Sequence, residues 1–320
     1  MLSILPAANL YREQLEIIIG DNASVDETES TVALLQKEYP WIRYHKHPFN
    51  LGAERNIHAL ARMASGEYVW FVGDDDKVTM RDALPIIFKH IGSKYNLIVM
   101  NFSSVARDLP SGVKRNWWPI KGDRIFDHPN KLMSCFGAGL GFISCIVISR
   151  KLFLGHDYDE YEAYAAYGFS FLYAVYAGIV QEMRAIFVAS PLILNRWGTE
   201  LSNETADKFF ITGTSLVLDR LAKRGYSKKA IRSAKHRVII DYLTPSLIRR
   251  KVARQSVKSM LGRMLPNYYS LWAFWLVFAP LLLMPRFMMR PALRIGGKAR
   301  GVLACCRFEK DSSACSLSSL

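Results

Sequence analysis

The stretch Glu67-Tyr-Val-Trp-Phe-Val-Gly-Asp-Asp-Asp76 is an apolar strand that ends in three consecutive carboxylates. Residues 68–72 are aromatic or β-branched, as a strand buried in a parallel sheet requires. Three adjacent like charges repel, and no packed core would compensate their desolvation. A divalent cation turns that repulsion into attraction, prefers hard oxygen ligands, and shares its coordination with phosphate oxygens. The segment therefore implies an open α/β sheet with a metal–diphosphate site at the carboxyl end of one strand, where such sheets bind ligands.

The preceding residues extend that sheet. Leu15–Gly20 reads as a strand followed by Asp21-Asn22, and Ser24-Val-Asp-Glu27 fits a capping box opening a helix to about Lys37. Ile42–His45 is a short strand. Asn50-Leu-Gly52 is a turn into a helix over 53–64, where Ile57, Leu60, Ala61 and Ala64 share one apolar face. This β-α-β-α-β order with short connections predicts a doubly wound, mostly parallel sheet with helices on both faces. Asp21 and Asp74–Asp76 then share one rim. In an extended segment, Asp74 and Asp76 point together and Asp75 away, unless the chain bends. Further strands are expected at 95–102, 141–149 and 186–194. An irregular stretch is expected over 103–130 and an aromatic helix over 161–176.

Charge is distributed unevenly. The chain of 320 residues carries +14, yet residues 221–300 hold 18 Lys and Arg against the single acid Asp241. Within that basic, mainly helical region, Tyr268–Met284 runs seventeen residues without a charge and includes Trp272, Phe274, Trp275, Phe278 and Pro280. Its length is at the short limit for spanning a bilayer, whereas flanking arginines, aromatics and a central proline suit a helix, or a broken pair, lying in the interface. Attachment to an anionic cytoplasmic membrane surface is expected, with a buried core helix as the plain alternative. No stacking platform accompanies the basic helices, so no nucleic-acid partner is expected. Five cysteines without metal spacing read as reduced thiols in a cytosolic compartment. The division expected is 1–200 for the sheet domain, 201–300 for the basic helical region and 301–320 for a disordered tail.

Three segments resemble family 2 glycosyltransferases of the GT-A fold. Leu15-Glu-Ile-Ile-Ile-Gly-Asp-Asn-Ala-Ser-Val-Asp-Glu-Thr28 resembles their "EIIVVDDGSTDGT" segment. Asn50-Leu-Gly-Ala-Glu-Arg-Asn56 resembles "NxGxxxARN", one residue shorter. Ser65–Asp76 resembles "GEYIxFLDDDD", which carries the DxD metal motif. The wording is most similar to the abequosyltransferase-like branch, whose members transfer deoxy sugars in bacterial surface polysaccharide (O-antigen) assembly. The resemblance implies a nucleotide diphosphate-sugar donor and a lipid-linked saccharide acceptor, at the cytoplasmic face of the cell membrane, peripheral or monotopic. It implies a donor site of Asp21, Asn22, Asn50, Arg55, Asp74 and Asp75, with Asp21 at the pyrimidine base and Arg55 at the base or its phosphates. Asp76, with Asp74, would hold Mn²⁺ or Mg²⁺.

The plain alternatives are a helix start at Asp21–Ser24 and a solvated Arg55. The family's usual acidic general base has no close match here. Asp159 and Glu160, within His156-Asp-Tyr-Asp-Glu-Tyr-Glu162, are the candidates, and a solvated helix start is the alternative. Met1–Gln14 corresponds to the tail of a helix that precedes the family's second strand, so the first strand is expected to be lacking. A catalytically inactive, membrane-peripheral binding or scaffold protein is the rival reading.

Overall fold

The computed structural model describes residues 4–78, 83–106, 115–197 and 202–288. The tail 301–320 and the basic flank at Arg290 and Arg294 lie outside the described residues.

After a short helix α1 (Leu5–Asn9), strand β1 (Ile18–Asp21), helix α2 (Thr28–Glu38) and strand β2 (Arg43–Lys46) form a small layer. β1 and β2 pair in parallel, with Asp21 opposite Lys46. Leu5, Ile19, Val32 and Ile42 make a separate small core beneath them. The expected capping box does not form. The Ser24 amide donates instead to Asp21 Oδ1, and Asp26 Oδ1 accepts from both the amide and hydroxyl of Thr28, where the helix begins. Local Asx turns outcompeted the cap.

Gly52 has φ +82°, a conformation that disfavours any side chain, and it turns the chain into α3 (Ala53–Met63). Strand β3 (Tyr68–Trp70) follows, then β4 (Lys77–Val78), α4 (Ala83–Gly92), β5 (Leu97–Ala106), β6 (Arg115–Asn116), β7 (Arg124–Phe126) and α5 (Pro129–Phe136). Next come β8 (Ile146–Ser149), α6 (Arg150–Leu154), α7 (Tyr158–Ala165), α8 (Ser170–Ile179) and the long β9 (Ala185–Trp197). The expected helix over 161–176 is therefore two helices, parted near Gly168, whose φ is +70°.

The sheet is not mostly parallel. The larger sheet runs β3-β8-β5-β9-β4, with β6 on β5 and β7 on β9, and β5–β9 is the one parallel pair among its described ladders. β8 inserts antiparallel between β3 and β5. The irregular stretch and α5 precede it, and an antiparallel neighbour needs no crossover helix. Only β1–β2 follows the expected parallel winding before β5.

The two sheets share no described ladder. Side chains join them instead. Glu16 Oε1 accepts from the Ser65 amide, the Ser65 hydroxyl and the Gly66 amide, while Glu16 Oε2 pairs with Arg43 at 2.6 Å. Asn56 reaches the Gly20 carbonyl at 3.4 Å. In the large sheet a bulge at Met100–Phe102 is satisfied by the fully buried Asn101, which donates to the carbonyls of Trp118 and Ala189.

The basic region is helical. It comprises α9 (Asn203–Asp207), α10 (Thr214–Ala222), α11 (Lys228–Arg237), α12 (Thr244–Val252), α13 (Lys258–Tyr268) and α14 (Ala279–Leu283). π-helical turns at Lys208–Gly213, Val238–Leu243 and Phe274–Phe278 link or lead into them. Leu218, Val238, Leu247, Met264 and Phe278 belong to the same core as the strands of the large sheet. Arg250 and Asp207 are a buried, two-bonded ion pair within the helices. Lys251 Nζ donates to the Leu281, Leu282 and Met284 carbonyls, tying down the end of α14.

Candidate active site

β3 ends at Trp70, and the chain turns at Asp74–Asp75 before β4. The turn closes with the Asp76 amide donating to the Gly73 carbonyl at 3.2 Å. Asp75 Oδ1 and Asp76 Oδ2 lie 2.8 and 3.2 Å from the point where Gly73 would carry a Cβ. Asp74 is exposed. The chain bends here instead of running extended, the case in which Asp75 turns inward, and Asp75 and Asp76 both approach Gly73. Gly73 fits because a Cβ there would crowd the Asp75 carboxylate and press on that of Asp76.

Asp76 is buried and carries the strongest constraint in this turn. It accepts from Ser144 Oγ at 2.5 Å and from Asn195 Nδ2 at 2.8 Å. Ser144 Oγ also accepts from the Gly73 amide at 2.9 Å, so one hydroxyl holds the turn and its carboxylate. Burial pushes the Asp76 carboxyl above its ordinary range. The two hydrogen bonds oppose this, and the charges of Asp75 and Asp74 reinforce it. The carboxylate oxygens present are hard donors of the kind that Mn²⁺ and Mg²⁺ take. Among the described residues no group of three His, Cys, Asp or Glu side chains would hold an ion by itself.

At the end of β1, Asp21 is also buried. Tyr44 donates to its Oδ2 at 2.5 Å and the Ser24 amide to its Oδ1 at 2.7 Å. Burial alone would raise Asp21, but these bonds and Lys46 hold it below its ordinary range. Asn22 and Asn50 fasten two loops together. Asn22 Nδ2 donates to Asn50 Oδ1, the Leu51 amide donates to Asn22 Oδ1, and the Gly52 amide donates to Asn50 Oδ1, each at 2.8 Å. Arg55 is not solvated freely, because it pairs with Glu162 and donates to the Leu51 carbonyl.

The two base candidates differ. Glu160 is taken up by Arg220, Arg224 and the Tyr173 hydroxyl, which bind α7 to α8 and to the basic helices. Asp159 is exposed at the start of α7, and its carboxylate has no described partner. Ser144, Asn195 and Tyr44 escaped sequence reasoning. Ser144 was visible as a lone polar residue in the apolar run 142–148, whereas nothing local marked Asn195 or Tyr44.

A buried carboxylate of different character sits on α3. Glu54 Oε2 accepts from the Phe171 amide at 2.8 Å, so it caps the start of α8 from a neighbouring helix. Burial pushes it up to about 7, against the bonds from Phe171, Tyr161 and Ser170. With the folded pKa above the unfolded one, the native state holds the extra proton between about 4.5 and 7. Stability contributed by the protonated form is therefore lost as pH rises through that window, to about 3 kcal/mol above it. Glu54→Gln keeps an acceptor for Phe171 and removes this loss. Urea midpoints from pH 5 to 8 are expected to show the variant gaining on wild type as pH rises. Parallel curves would contradict that.

Residues 3–153 match the family described as Glycosyl transferase family 2. Abequosyltransferase RfbV of Salmonella typhimurium (strain LT2) is 26% identical over 160 residues, which are 47% of this chain and 47% of that protein. The GalNAc(5)-diNAcBac-PP-undecaprenol beta-1,3-glucosyltransferase of Campylobacter jejuni is 39% identical over 67 residues, 21% of this chain and 22% of the relative. The chain thus spans about half the length of the first of these relatives and less of the second. Among solved structures, S. aureus TarS 1-349 superposes with a TM-score of 0.53 at 12% identity, covering 86% of this chain and 70% of that one. Its complex with UDP-GlcNAc gives 0.58 at 11% identity, covering 82% and 74%. The likeness establishes a GT-A fold with a mixed sheet.

Proposed function

We propose that this chain, which carries a glycosyl transferase family 2 domain over residues 3–153, transfers a sugar from a nucleotide diphosphate donor to a lipid-linked saccharide at a membrane surface. The observation that carries the reading is the acidic turn. A buried Asp76 is held by Ser144 and Asn195, with Asp75 beside it and Asp74 exposed, at the carboxyl end of a strand in a GT-A sheet. The relatives' names support the substrate classes, since one is an abequosyltransferase and another glucosylates a saccharide on PP-undecaprenol. The transferred sugar is proposed to be a hexose or deoxyhexose.

Asp76 and its neighbours Asp74 and Asp75 would hold Mn²⁺ or Mg²⁺. The bound ion would supply charge stabilisation for the departing nucleoside diphosphate. Asp21, kept ionised by Tyr44 and Ser24, is suited to accept a hydrogen bond from the base N–H. The Asn22–Asn50 lock fixes the loop carrying Arg55, whose planar donors suit a phosphate when they exchange away from Glu162. Of the two base candidates, the oxygens of Glu160 already have donors, and Asp159, though its carboxylate has no described partner, follows Tyr158 toward the end of β3 away from the acidic turn, so neither is placed as the base.

The membrane role rests on one face of the segment 268–284. Tyr268, Leu271, Phe274 and Phe278 point into the core, while Trp272, Trp275, Leu276 and Leu283 are 40, 56, 72 and 83% exposed. No helix among the described residues is long and apolar enough to cross a membrane. One buried and one exposed apolar face, next to helices rich in Lys and Arg, fits a segment lying in the plane of the cytoplasmic leaflet. An acceptor confined to that surface gives such attachment a purpose.

The rival reading, a nucleotide-binding peripheral protein without transfer, draws on the absence of a described ladder between the two sheets. Incubation with UDP-, CDP- and dTDP-sugars, Mn²⁺ and a polyprenyl-diphosphate saccharide separates the two. Acceptor-dependent release of one nucleoside diphosphate is expected. Nucleotide binding without any release would favour the rival.

A further inference from the structure

A second cluster of polar side chains lies where β3 begins, at the opposite end of that strand from the acidic turn. His58 and Arg62 stand one turn apart on α3, Arg150 and Leu154 one turn apart on α6, and His156 and Tyr158 flank the start of α7. These six line an open groove of about 420 Å³. The Arg150 amide donates to the Glu67 carbonyl and its Nε to the Gly66 carbonyl, which fixes the groove at the residues preceding β3. The His58 ring centroid is 5.4 Å from that of His156 and 4.6 Å from that of Tyr158.

The groove is unusual in its charge balance. Arg55 is closed onto Glu162, and Arg220 and Arg224 are closed onto Glu160. Among the described residues, neither Arg62 nor Arg150 has a carboxylate partner, and none of the six lining residues is acidic. Burial, then His156, then Arg62 hold His58 down to about 4, against Glu162. Burial likewise lowers His156, opposed by its bond to the Phe153 carbonyl and by Asp157. The groups facing these imidazoles are Arg62 on α3, Arg150 on α6, Asp157, Tyr158, Tyr161 and Glu162 around α7, and Tyr173 on α8. Among the described residues neither guanidinium in the groove has a carboxylate partner, and the carboxylates that act on the imidazoles, Asp157 and Glu162, are not among the lining residues.

We propose that this groove is a binding site for a phosphate group, separate from the donor site. Arg62 and Arg150 would supply planar paired donors matched to phosphate oxygens. His58 would add a third donor once protonated, and Tyr158 a hydroxyl. A bound phosphate raises the proton affinity of the imidazoles beside it. The phosphate could belong to a lipid headgroup or to a free phosphorylated molecule, since both present the same oxygens.

Titration calorimetry of the full chain with inorganic phosphate, and separately with soluble short-chain phosphatidate, at pH 6.0 and 7.5 tests the site. Binding is expected at both pH values, weakened about tenfold in Arg62→Glu, the size of a lost charge-assisted contact. Arg62 is an exposed helix residue, so its replacement is expected to leave the circular dichroism spectrum and metal-dependent nucleotide binding unchanged. Tighter binding of phosphatidate than of phosphate would assign the site to a lipid headgroup, and equal binding to the phosphate group alone. Absence of phosphate binding at pH 6.0, or an Arg62→Glu variant that binds like wild type, would overturn the proposal. Neither result would touch the donor-site reading, which nucleotide binding tests independently.

Discussion

Asp76→Asn is expected to weaken metal-dependent nucleoside diphosphate binding and sugar transfer by about a thousandfold, a loss of several kcal/mol in charge stabilisation. The substitution keeps the size and an acceptor oxygen for Ser144 or Asn195, so the turn should survive. Asp76→Ala is the less clean variant, because it strands two buried donors. Asp74→Asn should cost less, since Asp74 is exposed and water already competes there. The raised proton affinity of Asp76 adds a pH dependence. Protons compete with the cation at a higher pH than for an ordinary aspartate, so metal-dependent binding should fade as the solution is acidified. Calorimetry of wild type, Asp76→Asn and Asp74→Asn, with circular dichroism as a fold control, checks these expectations. Retained Mn²⁺-dependent binding by Asp76→Asn would remove the metal role.

Replacing Trp272 and Trp275 together by Glu is expected to release the protein from anionic vesicles. Each indole is partly exposed, so its transfer into the interface is worth about 2 kcal/mol at ~25 cal/mol per Å², and the pair about a thousandfold in partitioning. The added negative charges oppose anionic lipid as well. Point substitutions are the sound test because Tyr268, Phe274 and Phe278 of the same segment fill the core, and deleting it would unfold the helical region. Sedimentation with vesicles at two salt concentrations measures the effect. Unchanged sedimentation of the double variant would sink the exposed face as an anchor.

Much of this architecture was legible because it rests on local patterns. The β1–α2–β2–α3–β3 order followed from short apolar runs, the Asn50-Leu-Gly52 turn and helical periodicity. The acid cluster declared itself through unfavourable charge. What escaped reading was set by long-range pairing. The antiparallel insertion of β8 between β3 and β5 depends on how a long irregular connection returns, which periodicity does not encode. The turn at Asp74–Asp75 replaced strand alternation and brought Asp75 as well as Asp76 against Gly73. Ser144 and Asn195 come from residues 68 and 119 positions away from the aspartate they hold. Glu160 looked like a free acid in sequence because Arg220 and Arg224 reach it only in the fold. The helical region likewise read as an appendage, yet its apolar residues complete the core of the sheet.

The central claim is that the acidic turn forms a cation-dependent site for a nucleoside diphosphate. Titration calorimetry of the detergent-solubilised chain with UDP, CDP and dTDP, with and without Mn²⁺, measures it directly. One of the three is expected to bind, only when metal is present, and Asp76→Asn to abolish the heat. A folded sample that binds none of them, or binds one equally well without metal, would contradict it.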